Sequence, residues 1–125
     1  MMGQNASPIA PFKTNRFTGE LLQILEELPR LDVVLLSHDH YDHLDMDSMD
    51  ILIPKTRLFI CSLGLGRHLE QWGCDASKIT ELDWWDEVSI DGLRIVFTPS
   101  RHSSGRALRD QSCTLWGGWV LESSN

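Results

Sequence analysis

Cysteine is scarce in this chain: Cys61, Cys74 and Cys113 are an odd number, at spacings that form neither a disulfide framework nor a CxxC metal knuckle. Reduced thiols in a cytoplasmic setting are the expectation that follows. Basic residues are also in deficit, eleven Lys and Arg against eighteen Asp and Glu, and the resulting charge of −7 repels phosphate backbones and anionic surfaces. That argues against generic nucleic-acid binding and leaves room for a small phosphorylated substrate. Apolar runs never approach the roughly 20 residues that span a bilayer. Met1 to Ala10 carries neither the basic leading region nor the apolar stretch of a signal peptide. No transmembrane segment is therefore expected. Repeats and low-complexity tracts are absent, and linker-like composition is confined to Met1 to Pro11, read as flexible, and Glu122 to Asn125.

What is present is ordinary globular composition, 42% hydrophobic and 23% charged, in 125 residues, a length that suits one domain or part of one. Leu21, Leu22, Ile24, Leu25 and Leu28 share one face of a helix that Pro29 ends. Leu31 to Leu36 is a nearly continuous apolar run, too short for a helix and suited to a strand covered on both faces. A polar stretch from Ser37 to Asp45 follows, and Asp45 can cap a short helix that runs to about Ile53 and stops at Pro54. Arg57 to Cys61 reads as a second strand; Leu65, Leu69 and Trp72 then mark a helix closed by Gly73. Val88 and Ile90, the turn pair Asp91-Gly92, and Leu93, Ile95 and Phe97 spell a β-hairpin. Ser100 to Asp110 is loop, and Thr114 to Leu121 reads as a last strand weakened by Gly117 and Gly118. Strands with interspersed helices and a hairpin make a mixed α/β (α+β) architecture.

Three of the five histidines, His38, His40 and His43, fall within six residues and alternate with Asp39, Asp42 and Asp45. The segment follows a strand, where open α/β sheets place ligands. If it stays extended, His38, His40 and Asp42 point to one side and His43 to the other, so one loop can feed two metal ions. Imidazole and carboxylate ligands suit zinc, manganese or iron. A loop that merely ended a strand would be served by Asn, Gly and Ser. His68, alone on a helix, reads as a surface or satisfied core residue. Arg101, Arg106 and Arg109 flank His102 and either offer guanidinium forks to a substrate phosphate or balance the acidic surface. Trp84 and Trp85 read as core and rim packing, with an acyl-lining role as the alternative.

SHDHYDHLD (Ser37 to Asp45), read as HxHxDH after a strand, resembles the signature of the metallo-β-lactamase superfamily of metal-dependent hydrolases. ELDWWDE (Glu81 to Glu87), FTPSRHSSGRAL (Phe97 to Leu108) and LWGGWVL (Leu115 to Leu121) resemble its branch containing N-acyl-phosphatidylethanolamine-hydrolysing phospholipase D. The resemblance implies a metallo-β-lactamase-like αββα sandwich, with His38, His40 and His102 holding one divalent ion. Asp42 and His43 would contribute to a second, and Asp42 would also act on the attacking water. Zinc is the first expectation for one or two ions, with manganese or iron as alternatives. The implied substrate is a small-molecule or lipid-like phosphoester, or a related ester or lactone. Family members also carry a metal-bridging Asp and a final His beyond the TPSRH region. No His follows His102 here, and Asp110 is the only acidic residue between it and Glu122. Residues 1–125 are therefore expected to be about half of such a domain, nearly inactive alone. An exposed sheet face would then favour self-association. A non-catalytic metal-binding module is the other reading.

Overall fold

The computed structural model describes residues 21–107 and 109–123, so the linker reading of residues 1–11 lies outside them. The elements run α1 (Leu21–Glu27), β1 (Leu31–Leu36), α2 (Met46–Leu52), β2 (Thr56–Ser62), α3 (Gly66–Gln71), β3 (Ile79–Leu82), β4 (Glu87–Ile90), β5 (Leu93–Thr98) and β6 (Gly118–Ser123).

Local chemistry sets most boundaries. Asp45 stays extended and its carboxylate accepts the Ser48 amide at 3.0 Å, starting α2. Pro54 then turns the chain through a 3₁₀ segment, Ile53–Lys55. The opening of α3 is capped from a distance: the Glu81 carboxylate accepts the amides of Gly64 at 3.0 Å and Gly66 at 2.7 Å. Gly73, at φ +89°, lets the chain leave that helix in the left-handed region. Asp91 and Gly92 both take positive φ, 49° and 84°, as a two-residue primed hairpin turn requires.

Among the described residues two three-stranded sheets result. The first is parallel, in the order β1-β2-β3, with α2 and α3 as the crossovers; the second is antiparallel, β4-β5-β6. Alternation along β2 sorts its side chains between two cores. Phe59 and Cys61 join Leu36 and the helical Leu25, Met49, Leu52 and Leu69, while Leu58 and Ile60 meet Ile95, Phe97 and Leu82 between the sheets. The layers among the described residues are thus helices, parallel sheet, antiparallel sheet. On the outer face of the second sheet Arg94 pairs with Glu87 and Glu122 beside Val96 and the exposed Val120.

Three expectations need correction. β3 was not anticipated: at four residues, with Glu81 exposed, it is too short to show a period of two. The last strand begins at Gly118, not Thr114, because residues 114–117 cross the end of both sheets, with Leu115 N–H donating to the Leu63 carbonyl and Gly117 N–H to that of Ser37. Glu122, read as linker, is a paired residue of that strand, opposite Arg94.

Candidate metal centre

The site lies where β1 and β5 end. β1 delivers Ser37 and His38 into a short loop, and β5 delivers Pro99 to His102 from the other sheet, so two strand ends converge. His38 is buried, His40 half-buried and His102 exposed, and one ligand nitrogen from each falls within 4.8 Å of the others. The Nε2 atoms of His38 and His102 are 2.8 Å apart. Ring centroids separate by 4.7 Å for His38–His40 and 4.9 Å for His40–His102.

The loop does not stay extended. The amides of His43 and Leu44 both donate to the His40 carbonyl, at 2.9 and 2.8 Å, and this turn brings His43 back over His38 with centroids 4.2 Å apart. His43 therefore joins the same cluster instead of pointing away from it. Asp42 goes with it to the exposed rim, its Oδ2 3.5 Å from His43 Nε2. All five residues singled out from the sequence thus lie in one neighbourhood, His38, His40 and His102 as the tight set and Asp42 with His43 beside it.

The donor set fits a metal ion. Ser37 Oγ occupies His38 Nδ1 at 2.9 Å and leaves Nε2 facing the other imidazoles, the arrangement in which an outer partner orients a ligand. Burial, then the neighbouring His43, His102 and His40, lower the His38 pKa from 6.5 to about 4. Burial likewise lowers that of His43, with Asp42 opposing. His38 is therefore neutral at physiological pH, the form that ligates.

Beneath the histidines is a layer the motif reading passed over. Asp39, almost wholly buried, accepts the Gly105 amide through Oδ1 at 2.7 Å. Arg106 Nη1 donates to the carbonyls of Asp39 at 2.8 Å and Leu44 at 2.6 Å, with the guanidinium 4.1 Å over the Tyr41 ring. Arg106 is thus spent on the loop, while Arg101 and Arg109 are exposed. One signal for Asp39 was available: in a strand-like run it faces opposite to His38 and His40, toward the interior. His68 is not a satisfied core residue, since its buried Nε2 has no hydrogen-bond partner among the described residues and lies 3.9 Å from Asp39 Oδ2. Burial lowers its pKa. Trp84 packs edge-on against Trp116 and donates to its carbonyl at 2.6 Å, whereas Trp85 is 69% exposed.

The family model of the beta-lactamase superfamily domain matches residues 5–125. An uncharacterized protein of Mycobacterium tuberculosis is 44% identical over 102 residues, which are 81% of this chain and 27% of that protein. The N-acyl-phosphatidylethanolamine-hydrolyzing phospholipase D 1 of Caenorhabditis elegans is 37% identical over 111 residues, 81% of this chain and 31% of that protein. The chain thus spans under a third of these curated relatives' length. Among solved structures, the diiron β-hydroxylase CmlA of Streptomyces venezuelae superposes with a TM-score of 0.65 at 21% identity, over 87% of this chain and 21% of that one, a likeness of fold. No helix among the described residues is long and apolar enough to cross a membrane.

Proposed function

This chain belongs to the beta-lactamase superfamily domain family, and from that premise we propose that it supplies the first metal site of a metal-dependent hydrolase acting on a phosphodiester or a related ester or lactone. The observation that carries this reading is the convergence of three imidazole donors within 4.8 Å from two different strand ends. His38, His40 and His102 would hold one divalent ion, and Asp42 and His43 would contribute to a second. Zinc is the first choice, and the same ligands accommodate manganese or iron. When bound, such an ion supplies Lewis acidity and a water acidic enough to be deprotonated near pH 7.

The chain's own residues do the rest. Ser37 fixes the His38 ring through Nδ1. Asp42, exposed and 3.5 Å from His43 Nε2, would take a proton from the attacking water. A lipid-like phosphoester is the favoured substrate class, supported by the name of the Caenorhabditis elegans relative. Free thiols at Cys61, Cys74 and Cys113 support a reducing, cytoplasmic setting. Residues 1–125 would be one part of a metallo-β-lactamase-like domain.

A second reading, metal binding without turnover by these residues alone, is favoured by one observation. The Asp110 carboxylate accepts the amides of Arg106 at 2.9 Å and Ala107 at 2.6 Å, which hold its pKa below the usual range. It closes a turn and is not offered to the histidines. Hydrolysis of bis(4-nitrophenyl) phosphate by the metal-loaded chain decides between the two. Turnover above that of free metal, lost in His38→Ala, supports the hydrolase reading; metal bound with no acceleration assigns these residues the non-catalytic role.

A further inference from the structure

The two loops that carry the histidines are fastened to each other by a reciprocal pair of contacts. From the first loop, the buried Asp39 carboxylate accepts the Gly105 amide of the second at 2.7 Å. From the second, Arg106 Nη1 reaches back to the carbonyls of Asp39 and Leu44, at 2.8 and 2.6 Å. Those two carbonyls bracket the turn that holds His40, Asp42 and His43. The Tyr41 ring, 4.1 Å below the guanidinium, and Trp72, 5.4 Å away, hold Arg106 in place. Gly105 itself is at φ +132°, and a Cβ there would lie 2.7 Å from Gln111 Nε2 and 2.9 Å from Gln111 Cα, so the Asp39 contact fits only glycine without strain.

We infer that Asp39 and Arg106 are positioning residues, a clasp that sets His102 at ligating distance from His38 and His40. The argument is one of leverage. His102 is exposed and, among the described residues between Thr98 and Gly118, its own loop carries no helix or strand, so its ring position depends on what anchors the loop three residues on. The anchor is charge-assisted at both ends, and burial of Asp39 strengthens it. This inference rests on the metal-site reading, and it has a consequence in the metal-free protein as well, the 2.8 Å contact between His38 and His102.

The test uses the whole chain, with Co²⁺ alone as the probe and its visible d–d band as the readout. Asp39→Ala and Arg106→Met are expected to weaken Co²⁺ binding by about 10–100-fold, the usual effect of removing an outer-shell partner. Asp39→Asn, whose amide oxygen can accept the same Gly105 N–H, is expected to stay within about threefold of wild type. Co²⁺ bound by Asp39→Ala as tightly as by wild type, or a tenfold loss in Asp39→Asn, overturns the clasp. Should the Ala variant fail to fold, Arg106→Met carries the test, and Co²⁺ bound by it as tightly as by wild type overturns the clasp. If wild type binds no Co²⁺, the metal reading fails, and imidazole ¹⁵N shifts of the metal-free protein decide the clasp separately. Loss of the His38–His102 contact in Arg106→Met supports it, and retention refutes it.

Discussion

Acidification of the metal-free protein probes the crowding of four imidazoles directly. His38 titrates at about 4 in the folded chain against 6.5 for the free side chain, because burial and the facing His43, His102 and His40 disfavour its charged form. Between those two values the unfolded chain takes up a proton that the folded chain refuses. The unfolded state therefore binds more protons in this window, and stability must fall as pH drops through 6.5, levelling off below about 4. The full gap corresponds to a ceiling of roughly 3 kcal/mol at 1.36 kcal/mol for each pKa unit. His43 and His102 are exposed and His40 is half-buried, so water screens their share. A net loss of about 1–2 kcal/mol is expected. Asp75 and Asp110, held below the carboxylate range by hydrogen bonds to backbone amides, act at lower pH, whereas His43 and His68, also lowered from 6.5 by burial, add a loss of the same sign, so the difference between wild type and His38→Gln isolates the His38 share. Urea unfolding followed by tryptophan fluorescence, at a series of pH values, measures the effect in wild type and in His38→Gln. A flat wild-type profile across the window, or one that His38→Gln leaves unchanged, would refute the reasoning.

Two further perturbations test the scaffold. Lys55 Nζ donates to the carbonyls of Leu25 and Leu28, each at 3.0 Å, and to that of Glu26, ending α1. Lys55→Met should cost about 1–3 kcal/mol in urea unfolding, and a loss under about 0.5 would show that water replaces those bonds freely. At Gly117 a Cβ would fall 2.4 Å from the Thr98 carbonyl oxygen and 2.5 Å from Phe97 Cζ. Gly117→Ala should therefore destabilise by about 1–3 kcal/mol through overpacking, read as a lowered melting temperature; an unchanged one contradicts the packing described.

Much of this molecule was legible because its signals are local. Asp91-Gly92 states its own turn, Asp45 its own cap, and the apolar run from Leu31 its own strand. β3 was invisible because its place is fixed by pairing with β2, with Phe59 opposite Ile79, and by the Glu81 carboxylate reaching α3. Residues 114–117 were misread because their apolar side chains pack across the sheet ends without forming a ladder. In the site, HxHxDH announces His38 and His40, and the resemblance adds His102. The folding back of His43 depends on a turn closed at the His40 carbonyl, and the Asp39–Arg106 clasp joins residues 67 apart, so neither leaves a mark in any short window.

Metal content tests the central claim most directly. The purified chain, dialysed against zinc and then against metal-free buffer, is assayed by elemental analysis beside His38→Ala and His102→Ala. Close to one equivalent or more in wild type, lost in both variants, is the predicted result. No retained metal, or retention that neither substitution disturbs, would contradict the three-histidine site.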